Sequence, residues 1–383
     1  LIKNGFKIQY ADGSGSQGDY FTDDFAIGTA SISALQMGLA INTTVGVGIM
    51  GIGYDSNEAA KTVYPSVMTQ LVSQGKINTK LYSLYLDDVK STSGTILFGG
   101  IDTDKYHGNL TTMPVLKNTR GTYTALAIAM SGLTIGSNAL TNATFRAAVI
   151  LDSGTTLSYL PTTLFRSVVT ELGAVDDTSG QGASGNVYVD CSLRESPNTL
   201  KYTFGGSSGV TIEVPMSEVI FDLDGIYAGQ PTGASLPFQS TCALGIMSSG
   251  SGTSLLGDTF LRSAYVVYDL KNNLIALAQT NFESARSSII EVEASALNIP
   301  NASGVSGAIS ATLLASGQPG RSVSATGSAT ATGGTSSTSA TAASTSTSKS
   351  AAPGSVPAFE IGNVAVLTIS GVFTLLGSFW FLA

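Results

Sequence analysis

Short apolar runs, broken by clusters of Gly, Ser, Asp and Asn, fill the first three quarters of the chain. Residues 6–10, 25–28, 81–86, 95–98, 123–130, 147–151, 265–270 and 274–279 are the clearest. They are rich in Val, Ile, Tyr, Phe and Thr and have the length of strands. Helix signals are few. Residues 67–72 form one candidate, and residues 164–171, entered by Pro161-Thr162-Thr163, form another. Many short strands with few helices predict an all-β, sandwich or barrel-like body. A weak internal repeat suggests two related halves: Gly48-Ile49-Met50-Gly51-Ile52-Gly53 echoes Leu255-Leu256-Gly257-Asp258, each an apolar pair closed by glycine.

The pattern changes near residue 295. Between Arg321 and Ser350, 18 of 30 residues are Ser or Thr. Such a stretch cannot bury enough apolar surface to offset its ordering entropy, so it is expected to be disordered. Its composition suits an O-glycosylated stalk, or a plain linker. Residues 364–383 follow without a charge and end on Phe379-Trp380-Phe381-Leu382-Ala383. Twenty apolar residues can cross a bilayer, but no Lys or Arg flanks the far end. Small residues (Ser350, Ala351, Ala352, Gly354, Ser355), a short spacer and an apolar tail are the order of a GPI-attachment signal. That reading is preferred to a tail-anchored helix.

Composition narrows the chemistry. Charged residues make up 11% of the 383, against about 25% in ordinary soluble proteins. The net charge of -8 argues against nucleic acid as a partner, since phosphate neutralisation needs clustered cations. One histidine, His107, and two cysteines, Cys191 and Cys242, leave too few ligands for a zinc site, and no metal or cofactor is expected. A Ser-His-Asp or Cys-His enzyme would depend on His107 alone. Its setting, Asp104-Lys105-Tyr106-His107-Gly108, reads as a polar surface turn. Catalysis, if present, must rest on carboxylates, hydroxyls or backbone.

Four N-x-S/T sequons, at Asn42, Asn109, Asn142 and Asn301, join the tail in favouring the secretory route. On that route the two cysteines should pair and close a long loop.

One motif carries the chemistry. Residues 147–151 form a buried-strand pattern that ends on Asp152, followed by Ser153-Gly154-Thr155-Thr156. Gly154 permits a tight turn, and the hydroxyls can orient a carboxylate. An ordinary Asx-turn would look the same. A phosphate loop is disfavoured, because no Lys follows.

The surroundings separate these readings. Ile150-Leu151-Asp152-Ser153-Gly154-Thr155-Thr156 resembles the second active-site motif of the pepsin-like aspartic proteases. Leu255-Leu256-Gly257-Asp258 through Tyr265 resembles the segment that packs beneath the catalytic Asp in that family. Tyr10-Ala11-Asp12-Gly13-Ser14 resembles the tip of its flap hairpin, with Tyr10 as the flap tyrosine. The order of the motifs agrees from residue 1 to about 282, and the fungal candidapepsin and yapsin group is the most similar. The resemblance implies an all-β, bilobal fold with an incomplete N-terminal lobe. It implies an endopeptidase active at acid pH and sensitive to pepstatin, in which two carboxylates share one proton. Asp152 is the implied catalytic residue. Tyr10, Asp12, Gly13, Gly154, Thr155 and Thr156 are the implied substrate-binding residues, and Cys191–Cys242 is the implied C-terminal-lobe disulfide. Asp12 suggests tolerance of Lys or Arg just before the cut, unless it serves only the flap turn.

The sequence departs from that pattern in holding one Asp-Thr/Ser-Gly where two are implied. The first is expected a few dozen residues before Tyr10, which stands almost at the start, and nothing there reads as a secretion signal or propeptide. The chain is expected to be inactive alone, as a fragment of an active protease. The expected divisions are a partial N-terminal lobe with flap (1–115), a C-terminal lobe with the catalytic Asp (116–285), a disordered Ser/Thr-rich stalk (286–355) and a hydrophobic GPI-attachment signal (356–383). A monomer at the cell surface, membrane-held and acting on peptides or proteins, is expected. Two other classes remain open: an inactive glycoprotein of this fold that binds peptides or wall components, and a structural wall glycoprotein.

Overall fold

The computed structural model describes residues 1–10, 13–28, 30–60, 62–180, 183–223 and 236–314, together with the backbone of 367–371. Along the chain run β1 (Ile2–Gln9), β2 (Gly15–Ile27), β3 (Ala30–Thr43), α1 (Val67–Ser73), β4 (Leu81–Tyr85), β5 (Gly94–Phe98), β6 (Gly100–Asp102) and β7 (Tyr106–Pro114). The second half holds β8 (Ala127–Ile135), β9 (Asn138–Ala139), β10 (Ala147–Leu151), β11 (Ser158–Leu160), α2 (Thr162–Glu171), β12 (Val175–Asp177), β13 (Asn186–Asp190), β14 (Thr199–Phe204) and β15 (Val210–Pro215). After these come β16 (Ile220–Asp222), β17 (Thr241–Leu244), β18 (Ile246–Ser248), β19 (Ser254–Leu256), α3 (Asp258–Leu261), β20 (Ala264–Asp269), β21 (Leu274–Thr280), β22 (Ile289–Glu291), β23 (Ala302–Gly304) and β24 (Leu367–Gly371).

Three sheets place the site. The first 43 residues fold into a meander, β1-β2-β3. A central sheet, ordered β23-β7-β21-β20-β4-β5-β24, joins the halves of the molecule. The C-terminal lobe is built on β15-β14-β8-β10-β19-β11-β18, beside a small sheet β12-β13-β17-β16. The expected all-β, two-lobed architecture is the one observed.

The unbroken apolar run of β20 follows from its place. It lies between β4 and β21, so both edges are paired, and each face is covered by a core. Val266 and Tyr268 enter the main core, while Tyr265 and Val267 enter a second core behind the central sheet. β10 divides in the same way: Val149 and Leu151 face the main core, and Ala148 and Ile150 face a third cluster.

Four sequence expectations change. The strand expected at 123–130 begins at Ala127, because Tyr123 leaves the ladder and stacks on Tyr54, with ring centroids 6.1 Å apart. His107 is exposed, but it lies in β7 opposite Gln279 rather than in a turn; the turn falls just before it, at Thr103–Lys105. Of the two repeat segments, 255–256 is a strand flanked by β10 and β11, whereas 48–53 runs as irregular chain with Ile49 and Met50 exposed. Finally, residues 286–314, placed with the stalk on composition, pack on the body. Val292, Ile299 and Leu313 are each at most 3% exposed, and β22 and β23 pair with β6 and β7.

The Ser/Thr-rich stretch 321–350 lies outside the described residues, as does most of the apolar tail. The described part of the tail, β24, pairs antiparallel with β5. Among the described residues no helix is long and apolar enough to cross a membrane.

Candidate active site

Asp152 stands immediately beyond β10. Its neighbour β19 runs parallel, with Leu151 beside Leu256, and the Asp152 N–H donates to the Leu256 carbonyl at 3.1 Å. The turn that follows is laced to the next segment. Asp258 N–H donates to Thr155 O at 2.9 Å, and Thr259 N–H donates to Thr156 O at 3.1 Å. Two apolar strands thus hold one loop on another, and the carboxylate leaves the sheet at a fixed point.

Both oxygens of that carboxylate are engaged. Gly154 N–H donates to Oδ1 at 2.9 Å, and the Thr155 hydroxyl donates to Oδ2 at 2.7 Å. These bonds fix the plane of the carboxyl. Asp152 is half-buried, so it meets solvent while anchored from behind. Such a group can take a proton from a bound water. The Asx-turn reading is also present, since the same Gly154 and Thr155 bonds form one.

Gly257 explains the apolar-apolar-Gly pattern. A Cβ there would stand 2.1 Å from Thr155 O and 2.5 Å from Leu157 O. Only a residue without a side chain lets the two loops approach this closely.

A charged layer lies behind the turn. Burial pushes the Asp258 carboxyl up to about 7; Arg262 opposes the rise and Asp152 adds to it. Arg262 is 6% exposed and donates to the Asp88 carbonyl at 3.2 Å. Glu218, 3% exposed, is likewise pushed up to about 7 by burial, against the Val89 N–H and Arg262, with Asp88 and Asp87 adding to the rise. Its Oε1 accepts from Val89 N–H at 3.2 Å, while Oε2 is buried with no partner. Sequence reasoning missed Glu218 and Arg262 as members of this layer. The spacing of Asp258 and Arg262 by one helical turn was the available signal; Glu218 had none.

The other expected residues fall as follows. Thr155 and Thr156 are half-buried in the Asp152 turn, and Gly154 is exposed there. At the tip of the β1–β2 hairpin, Tyr10 N–H donates to Ser14 O at 2.8 Å and Gly13 N–H to Tyr10 O at 3.1 Å; Gly13 has φ +85°. Asp12 lies outside the described residues. Cys191 and Cys242 form a disulfide with Cα atoms 5.0 Å apart. They and Asp222 are the one group of three potential metal ligands found among the described residues, and the disulfide occupies both sulfurs. Asn42, Asn109, Asn142 and Asn301 are all exposed.

A two-lobed, mostly β fold with a hairpin near its start and an Asp at the exit of a buried strand, cradled by Gly and Thr, is an architecture of the pepsin-like kind. The eukaryotic aspartyl protease family model matches residues 2–280, and the chain belongs to that family. It is 39% identical over 340 residues to a probable aspartic-type endopeptidase OPSB of Arthroderma benhamiae, covering 86% of this chain and 67% of that protein. To secreted aspartic protease 8 of Candida albicans it is 35% identical over 288 residues, covering 74% and 61%. The aspartic proteinase of Irpex lacteus, a solved structure, superposes with a TM-score of 0.60 at 26% identity, covering 75% of this chain and 85% of that one. The matched region therefore spans about two thirds of the length of the Arthroderma and Candida proteins.

Proposed function

We propose that Asp152 is one of two carboxylates of an aspartic endopeptidase, and that the second lies outside these 383 residues. The observation that carries this reading is the paired donation of Gly154 N–H and Thr155 Oγ1 to the two oxygens of Asp152. In the proposed cycle one carboxylate takes a proton from water as the water oxygen bonds to the peptide carbonyl carbon. The other gives its proton to the amide nitrogen as the C–N bond breaks, yielding a carboxylic acid and an amine. One of the two must start protonated, so acid pH favours the reaction. Tyr10, Asp12 and Gly13 would close over the peptide, with Gly154, Thr155 and Thr156 beneath it.

The exposed sequons, the disulfide and the apolar tail support a glycosylated protein of the secretory route, held at the cell surface by a GPI anchor. Hydrolysis of a peptide at acid pH, with and without pepstatin, tests the enzyme when residues 1–383 are expressed with their preceding coding sequence. Asp152→Asn should lower kcat by about 1,000-fold or more; unchanged activity refutes the assignment. The single Asp-Thr/Ser-Gly in the sequence favours a second reading, a peptide-binding glycoprotein of the same fold. Pepstatin-insensitive, inactive protein that still binds peptide would establish it. Release by a phosphatidylinositol-specific phospholipase tests the anchor, and resistance would point to a spanning tail.

A further inference from the structure

The family match ends at residue 280, yet the chain continues in order to Leu314 and crosses the back of the molecule. The segment begins on the central sheet. Ser287 Oγ and Ser288 N–H donate to the buried carboxylate of Asp102 at 2.6 and 2.8 Å, and β22 pairs with β6. Val292 and Ile299 then fill the second core against Leu81, Tyr265 and Val267. After β23 the segment passes to the C-terminal lobe. Val305 lies over Gly205 and Ile309 over Gly206, and Ser208 Oγ donates to Ser306 O at 2.9 Å. It ends with Leu313, 3% exposed, whose carbonyl accepts from Thr119 N–H at 3.0 Å.

Leu313 joins the cluster on the outer face of β10. Ile309, Ala311 and Leu313 pack there with Leu116, Ala127, Ala129, Ala148 and Ile150. The inner face of the same strand is held by the main core through Val149 and Leu151. Asp152 follows directly. The strand that delivers the carboxylate is therefore clamped between the lobe's own core and a strap from outside the family match.

We propose that residues 302–314 form a brace for the catalytic strand, with Leu313 as a positioning residue that acts through Ile150 on Asp152. A packed residue without mobile neighbours transmits displacement, since interiors have little free volume to absorb it. Removing the Leu313 side chain leaves a cavity against Ile150, into which β10 can relax. The carboxylate then loses the alignment on which the proposed reaction depends.

The test is hydrogen–deuterium exchange on the full chain, joined to kinetics on the protein bearing both carboxylates. Leu313→Ala should speed amide exchange over residues 147–152 by about tenfold or more relative to 264–269. Leu313→Met, which conserves volume, should restore it. Ile309→Ala, at a partly buried position, is a milder second variant, and Leu314→Ala, its side chain exposed, should change nothing. Val292→Ala, on the part of the strap packed behind the central sheet, should act on 264–269 instead. The kinetic arm rests on the protease reading: Leu313→Ala should lower kcat about tenfold with KM unchanged, a loss typical of small misplacement. Uniform exchange across both regions, no change at 147–152, or no rescue by Met would overturn the brace. An inactive wild-type protein would sink the protease reading, while exchange still decides the brace.

Discussion

Gly257 has φ −92°, a value open to any residue, so its demand for glycine is steric. The site depends on how close two loops come, and Gly257 sets that distance. Gly257→Ala must displace the Thr155 and Leu157 carbonyls. That displacement moves the turn whose Gly154 N–H and Thr155 hydroxyl hold Asp152. The expected cost is about 1–3 kcal/mol of stability, as for other overpacked positions. A lowered denaturation midpoint together with weakened acid-pH hydrolysis checks it, and a variant that keeps both would show that the loops can part freely. Asp152 and Gly257 were both legible in the sequence, because each closes an apolar strand with a residue that the strand pattern does not want. Glu218 was not: its neighbours Val89, Arg262, Asp87 and Asp88 are remote along the chain, and only folding brings them together.

Among the elements, legibility followed burial. β10, β20 and β21 are continuous apolar runs covered on both faces, and the sequence showed each to within a residue. Of the two long strands after the hairpin tip, β2 was seen only at its end and β3 not at all. They are 13 and 14 residues long, and the outer length of β3 carries Leu39 and Ile41 to solvent, so no burial period marks it. The strap was missed for the opposite reason. Its anchors, Val292, Ile299, Val305, Ile309 and Leu313, are spread at irregular intervals among Ser, Ala, Gly and Asn, with no sustained strand or helix period to reveal them. Such isolated anchors suffice because the sheets they cover already exist. The turn at Cys191–Glu195 holds by other means. Its disulfide to β17 closes 51 residues, and Arg194 Nη1 and Nη2 reach the two oxygens of Asp222 at 3.0 and 2.9 Å. Loop-closure entropy assigns such a cross-link about 4 kcal/mol, while the exposed ion pair adds little. Replacing both cysteines by alanine should lower the unfolding free energy by about 2–4 kcal/mol in urea titrations; a smaller loss would mean that the small sheet holds itself.

For the whole molecule, buried carboxyls set the range of pH over which the fold is strong. Burial pushes Glu58, Glu218 and Asp258 each up to about 7. An acid whose folded value is raised binds its proton more tightly in the native state than in the unfolded chain. Its contribution is fully present below the unfolded value, near 4, and is lost as pH rises towards about 7. Asp222 runs the other way: the Arg194 hydrogen bond holds it below the usual range, so its contribution fades as pH falls. It is largely exposed, and solvent screens it, so the raised group dominates. Glu218 has a buried Oε2 that no donor meets, and two further carboxylates, Asp87 and Asp88, add to its rise. Its shift corresponds to about 3 kcal/mol between its two protonation states. Chemical denaturation at pH 4.5 and pH 7 should therefore show a less stable protein at the higher pH. Glu218→Gln, neutral at both, should remove part of that difference, and Asp258→Asn a further part of comparable size. Arg262 opposes the rise at both groups, so it lessens the slope without reversing it. If both variants keep the wild-type slope, the buried carboxyls are already relieved by water, and the acid preference of the fold has to come from elsewhere. If the slope flattens, the same acidity that keeps one carboxyl of the proposed pair protonated also keeps the Glu218 and Asp258 carboxyls behind Asp152 protonated.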